Sequence, residues 1–134
     1  MFVFRAATGA LAGVVIYAGG AVACPNLSGT YLCPAWQVQP PTQLGVTSVL
    51  RADGSASYEF RYGTGASQTI RKFEASPAGI LDANAHTRMC VGQSLLNKGP
   101  NEVGEGTKNV LNAAGDYQAF YNGQLQITCP RQRR

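Results

Sequence analysis

Between Leu44 and Ile127, apolar and polar residues alternate with a period of two in one segment after another, and short turn sequences separate the segments. Successive side chains of a strand point to opposite faces, so this pattern calls for sheets with one buried face. Leu44, Val46, Ser48 and Leu50 alternate with Gly45, Thr47, Val49 and Arg51, and Tyr58, Phe60 and Tyr62 alternate with Ser57, Glu59 and Arg61. A two-residue Asp53-Gly54 turn would divide these apolar sets between the faces. A three-residue Ala52-Asp53-Gly54 loop, with Gly54 at positive φ, puts Val46 and Leu50 on the face of Phe60 and Tyr58, and this is the expected register. Near the chain end, Asn122-Gly123 joins Tyr117–Tyr121 to Gln124–Cys129 as a type I′ hairpin. That turn pairs Phe120 with Leu125 and is expected to put Ile127 on the same face.

Further strand segments are expected at Thr30–Cys33, Ser67–Glu74, Ile80–Asn84, Thr87–Leu95 and Glu102–Ala113, bounded by Gly, Pro, Asn and Ser. No segment sustains an i, i+3, i+4, i+7 stripe. Val103–Ala113 has some helical composition, but Gly104 and Gly106 weigh against it. The expectation is an all-β fold, a small antiparallel up-and-down barrel of about eight strands, because closure removes exposed edges.

The N-terminus bounds the compartment. Arg5 precedes an uncharged run, Ala6 to Ala23, which ends in Ala21-Val22-Ala23 before Cys24. This is the layout of a signal-peptide helix over residues 1–23, with cleavage at the small residues. The run is also long enough to be a retained membrane anchor, and Cys24 sits where a lipid could be attached, although Ala21 occupies the position where lipoprotein signals usually carry Leu. Residues 24–130 then form one domain, followed by a basic tail at 131–134. Without Arg5 the chain has ten basic and seven acidic side chains, a net charge of +3, and three of the positives are Arg131, Arg133 and Arg134. The body is therefore nearly neutral, which argues against a nucleic-acid surface. A membrane partner is expected only if Cys24 is lipidated, and the localisation is periplasmic or secreted.

Cys24, Cys33, Cys90 and Cys129 make an even set. In an exported domain this reads as two disulfides, and the absence of a CxxC pair or a suitably spaced His argues against zinc. If the first and last strands pair antiparallel to close a barrel, Cys24 approaches Cys129 and Cys33 is left for Cys90. The rival Cys24–Cys33 pairing would need the intervening chain to fold back.

Asn26-Leu27-Ser28-Gly29-Thr30-Tyr31 resembles the opening of lipocalin and avidin barrels, where a Gly-x-aromatic element starts the first strand. Gly115-Asp116-Tyr117, with Tyr121 after it, is similar to the lipocalin Thr-Asp-Tyr turn, and Arg131 falls in the order of the family's third element. Tyr31 stands where Trp is usual, and Gly115 where Thr is expected. The resemblance implies a calycin-like barrel with one open mouth that binds a small or peptide ligand.

No catalytic motif stands out. His86, the single histidine, follows Asp82 in a turn-like stretch with no nucleophile context. Glu102 and Glu105 lie among glycines, Glu59 and Glu74 alternate outward, and Gly104-x-Gly106 lacks the strand-turn-helix setting of a phosphate loop. Neither a catalytic residue nor a metal or other cofactor is expected. The aromatics Tyr31, Tyr58, Phe60, Tyr62 and Tyr117 occupy strand positions that could line an interior, and Trp36 lies on the Pro-rich stretch Pro34–Thr42 that could cover a mouth. These six are the candidate ligand-binding residues. The expected function is that of an exported, disulfide-stabilised binding module for a small or peptide ligand. The alternative is a periplasmic enzyme inhibitor or interaction protein acting through its N-terminal segment or loops.

Overall fold

A computed structural model describes residues 23–133. The expected signal-peptide helix lies outside that range. Among the described residues, no helix is long and apolar enough to cross a membrane. Ten strands among the described residues form two antiparallel sheets. The first sheet contains β1 (Gly29–Cys33), β2 (Thr42–Leu50), β3 (Ala56–Tyr62) and β4 (Thr69–Ala75), paired in sequence order. The second contains β5 (Ile80–Leu81), β6 (Thr87–Val91), β7 (Ser94–Lys98), β8 (Thr107–Leu111), β9 (Tyr117–Tyr121) and β10 (Gln124–Cys129), also in sequence order. A 3₁₀ turn, Gly65–Ser67, joins β3 to β4.

The expected one-piece barrel of about eight strands is therefore corrected to two facing meanders. Thr87–Leu95 is not one strand, because Gly92 at φ 58° turns β6 back onto β7. Ile80–Asn84 keeps only two strand residues, since Asp82 begins a turn in which its N–H donates to the His86 carbonyl and its own carbonyl accepts from the Ala85 N–H. A two-residue β5 cannot zip along the seven residues of β4. Backbone pairing between the sheets there is confined, among the described residues, to a parallel Ser76–Met89 bridge, with the Cys90 N–H donating to the Ser76 carbonyl at 2.9 Å.

The other seam is tighter. Leu32 N–H donates to the Pro130 carbonyl at 2.8 Å and Gln132 N–H to the Thr30 carbonyl at 2.7 Å, around a Tyr31–Arg131 bridge. Followed two residues along each strand, this antiparallel register sets Cys33 opposite Cys129, and those two are disulfide-bonded with Cα atoms 4.2 Å apart. Cys24 bonds Cys90 instead. The expected Cys24–Cys129 and Cys33–Cys90 pairings are thus exchanged, because β1 begins at Gly29 and Cys24 belongs to a segment that crosses the end of the first sheet. A sulfur held by Cys90 is also not free for a lipid, so the lipidated alternative and its membrane partner do not fit this arrangement. Two disulfides place the folded chain in an oxidising compartment.

That crossing segment seals one end of the core. Cys24 N–H reaches the Gly54 carbonyl at 2.8 Å, Leu27 is fully buried, and Leu27 N–H donates to Ser48 Oγ at 2.9 Å. Tyr58 donates its hydroxyl to the Pro25 carbonyl, and Tyr31 donates to the Leu27 carbonyl, each at 2.7 Å. Leu44, Val46, Phe60, Leu95 and Tyr117 complete the core between the sheets.

Two expected hairpins form as read. Val46 pairs with Phe60 and Ser48 with Tyr58, while Gly54 takes φ 92° in the three-residue loop. Leu50 shares that face but lies beyond the core, at 48% exposure. In the second hairpin, Asn122 and Gly123 both have positive φ and Phe120 pairs with Leu125. The expected shared face of Leu125 and Ile127 is corrected by a bulge. The register shifts between Ala119 and Phe120, so Ile127 packs against the core opposite Ala119 while Leu125 stays exposed.

The basic tail is not a free end. Arg131 stacks over the Tyr31 ring at 5.1 Å and donates to Tyr31 Oη at 3.1 Å, the Ser28 carbonyl at 3.3 Å and the Gly115 carbonyl at 3.0 Å. Its backbone N–H donates to Asp116 Oδ1 at 2.8 Å, and Arg133 donates to the Ala114 carbonyl at 2.7 Å. These bonds satisfy carbonyls that a planar guanidinium fork can reach together and a lysine cannot.

Candidate functional site

The end opposite the Cys24–Leu27 plug is open. β2 starts and β3 ends there, and the loop between β1 and β2 arches over it. In that loop Trp36 and Gln39 exchange backbone hydrogen bonds at 3.0 and 2.8 Å, which closes a tight turn at Gln37 and Val38. Gln37 takes φ 52°, a left-handed conformation that usually favours glycine. Pro34, Pro40 and Pro41 limit the backbone on either side, so the Trp36 ring is presented by a restrained arch.

Beneath the arch lies a cleft of about 560 Å³. Leu44, Tyr62, Tyr117, Ala119, Ile127 and the Cys33–Cys129 disulfide form its apolar walls, and Trp36 borders it. Polar groups come from Gln39, Thr42, Thr69 and Arg71. Arg71 is the one charged residue of the lining among the described residues, and no carboxylate or histidine faces the cleft.

Of the six expected ligand-binding residues, three reach this space: Trp36, Tyr62 and Tyr117. Tyr31, Tyr58 and Phe60 do not, and their placement in a ligand site is corrected. Their exposures are 0, 1 and 3%, and the two tyrosine hydroxyls are spent on the plug. Side-chain alternation alone cannot separate these sets, because all of them face inward. Distance along the strand decides, since the plug fills one end and leaves the other empty. The buried rings still support the cleft. Phe60 packs on Tyr62 at 6.4 Å between centroids and on Tyr117 at 6.2 Å, and Tyr31 packs on Tyr117 at 5.6 Å.

Burial raises the pKa of both cleft hydroxyls above the usual tyrosine value. Burial raises the pKa of Tyr117, the neighbouring Tyr62 and Tyr31 hydroxyls add to the rise, and Tyr117 donates to Asn109 Oδ1 at 3.1 Å. Tyr62 is raised by desolvation of its hydroxyl and held back by the Arg71 guanidinium, even though the residue as a whole is 37% exposed. Neutral phenols beside a cation offer hydrogen bonds to a guest without repelling an anion. Leu44, Arg71, Ala119 and Ile127 were not among the expected site residues. Their signal was faint, because only the paired strand ends gather them.

His86 meets neither a carboxylate nor a hydroxyl through its ring. Asp82 instead accepts the His86 backbone N–H at 2.9 Å and binds Arg88 at 2.6 Å, so the two residues build a turn. Backbone donation from His86 is the main cause of the lowered Asp82 pKa. No group of three or more His, Cys, Asp or Glu side chains among the described residues is arranged to hold a metal. Compared with known proteins, the chain matches no family model, no curated protein and no solved structure.

Proposed function

We propose that this protein is an exported, calycin-like binding module whose cleft takes a small ligand with an apolar, flat body and an acidic head. The observation that carries this reading is the volume of about 560 Å³ under Trp36, which falls within the usual size of ligand pockets and is walled by aromatic and aliphatic groups. A core packed through to its mouth would have favoured the alternative instead. Arg71, the single charged side chain in the lining among the described residues, supplies the partner for an acidic head. In this reading the plugged end holds the walls in place and the disulfide-lined end admits the ligand. The likeness to lipocalin and avidin barrels belongs to the same proposal. It draws support from Tyr31, Asp116 and Arg131, the residues that carry it, meeting at one point of the fold.

The test uses anilinonaphthalene sulfonate, an aromatic anion, and N-phenyl-naphthylamine, its uncharged counterpart, each read by the emission it gains on leaving water. Both probes are expected to bind and brighten. Ala119→Trp fills the cleft and is expected to abolish both, whereas Arg71→Gln weakens only the sulfonate, by about five- to tenfold. Binding that survives Ala119→Trp would sink the reading.

A second reading has one observation of its own. Val38, at the tip of the Trp36 arch, is 92% exposed, as a loop that inserts into a partner would be. The N-terminal version of the interaction hypothesis is weaker, since Cys24 and Leu27 are built into the core.

A further inference from the structure

We propose that the gap between β4 and the β5–β6 turn binds an extended acidic peptide, which adds as a strand to the free edge of β4. This site adjoins the Trp36 cleft, with which it shares Arg71, but its edge, its far wall and Lys72 lie outside that cleft. β4 pairs on one side only, with β3 from Thr69 to Ala75. On its other side the Ser76–Met89 bridge touches just its end, so alternate backbone N–H and C=O groups face a space of about 520 Å³. Unpaired edges of this length template an added strand.

The far wall of the gap holds three polar atoms that are shut off from water and have no partner: His86 Nδ1, Arg88 Nε and Asn97 Oδ1. Arg88 and Asn97 are cross-strand neighbours, and Arg88 also lies 4.5 Å over the Phe73 ring. Folded proteins leave few such groups unmatched. Together they offer a donor, an acceptor and an imidazole nitrogen able to be either. The backbone of an extended chain presents the same mixture, and small rotations of His86 and Asn97 about their soft terminal torsions would turn them onto it.

Charge selects the occupant. Asp82 is paired with Arg88, and Glu74 with Arg51, which leaves Arg71 and Lys72 on β4 without an ion partner among the described residues. A second copy joined edge to edge would bring these two positive pairs together, and residues 1–22 contain no acid. An acidic strand satisfies both the edge and the charge.

The experiment uses the full exported chain and a capped, fluorescein-labelled hexapeptide alternating glutamate with valine, read by fluorescence anisotropy. We expect it to bind about tenfold tighter than the lysine counterpart, and full backbone N-methylation to abolish binding. Lys72→Gln should weaken it about three- to fivefold and Asn97→Leu about three- to tenfold, while sulfonate-probe binding in the cleft stays unchanged in Lys72→Gln. Equal binding of the N-methylated peptide would overturn strand addition, and displacement of the peptide by the uncharged N-phenyl-naphthylamine, which fills the cleft without needing Arg71, would assign it to the cleft instead. Dimerisation of the free chain that disappears with a strand-blocking Ile70→Pro would identify a second copy as the occupant and also overturn the proposal.

Discussion

Replacing Tyr58 by Phe removes one oxygen from the sealed end of the core and tests whether the N-terminal segment truly closes it. The Tyr58 side chain is 1% exposed, and its hydroxyl is a partner of the Pro25 carbonyl at 2.7 Å. The variant leaves that carbonyl without this donor, away from water, at a cost of about 1–3 kcal/mol. For a domain of this size, 1 kcal/mol corresponds to about 4 °C, so the expected fall in Tm is about 4–12 °C at pH 7. Alkaline pH should narrow the difference. Burial raises the Tyr58 pKa above its ordinary value of 10, so above pH 10 the unfolded chain loses this proton while the folded chain keeps it. A raised folded pKa gives stability that is complete below the unfolded pKa and is lost as pH rises past it. At pH 11 the native protein should have lost about 1.4 kcal/mol from Tyr58 that the Phe variant does not lose, so the gap between them narrows. Urea unfolding at pH 7 and pH 11 measures both quantities. Equal stability at pH 7, or a gap that does not narrow, would refute the claim of a sealed plug.

Two other substitutions probe features on which the fold depends. Ala85 sits at φ 62° in the Asp82–His86 turn, where the equivalent loops at Arg51–Ser55 and Asn112–Asp116 use Gly54 and Gly115. Ala85→Gly is expected to raise stability by about 0.5–1 kcal/mol in urea melts, the relief of left-handed backbone exceeding the entropy added to the unfolded chain. Arg131→Lys retains the charge but gives up most of the fork to Ser28, Gly115 and Tyr31, and a loss of about 1–3 kcal/mol is expected by thermal unfolding. An unchanged Tm would mean that the chain end is not part of the packed structure.

Local chemistry was legible where it is self-contained. The Asp53-Gly54 loop and the Asn122-Gly123 turn each set a register through backbone dihedrals that few residues adopt, so those hairpins follow from a handful of neighbouring positions. Alternation likewise shows which side chains turn inward. It does not show how deep each lies, and so Tyr31, Tyr58 and Phe60 cannot be told apart from Tyr62 and Tyr117 on sequence grounds.

The residues alone determined an antiparallel β protein with an even set of cysteines, its hairpins and its inward faces, because strand period and turn dihedrals act over a few bonds. Only the tertiary structure decided where the meander splits, which cysteines meet and which end stays open. Those outcomes depend on the two-residue length of β5, the offset of β1 against the chain end, and the chain ahead of β1 folding back across the core. Each is a competition between distant segments for the same surface, and no local pattern records which segment wins.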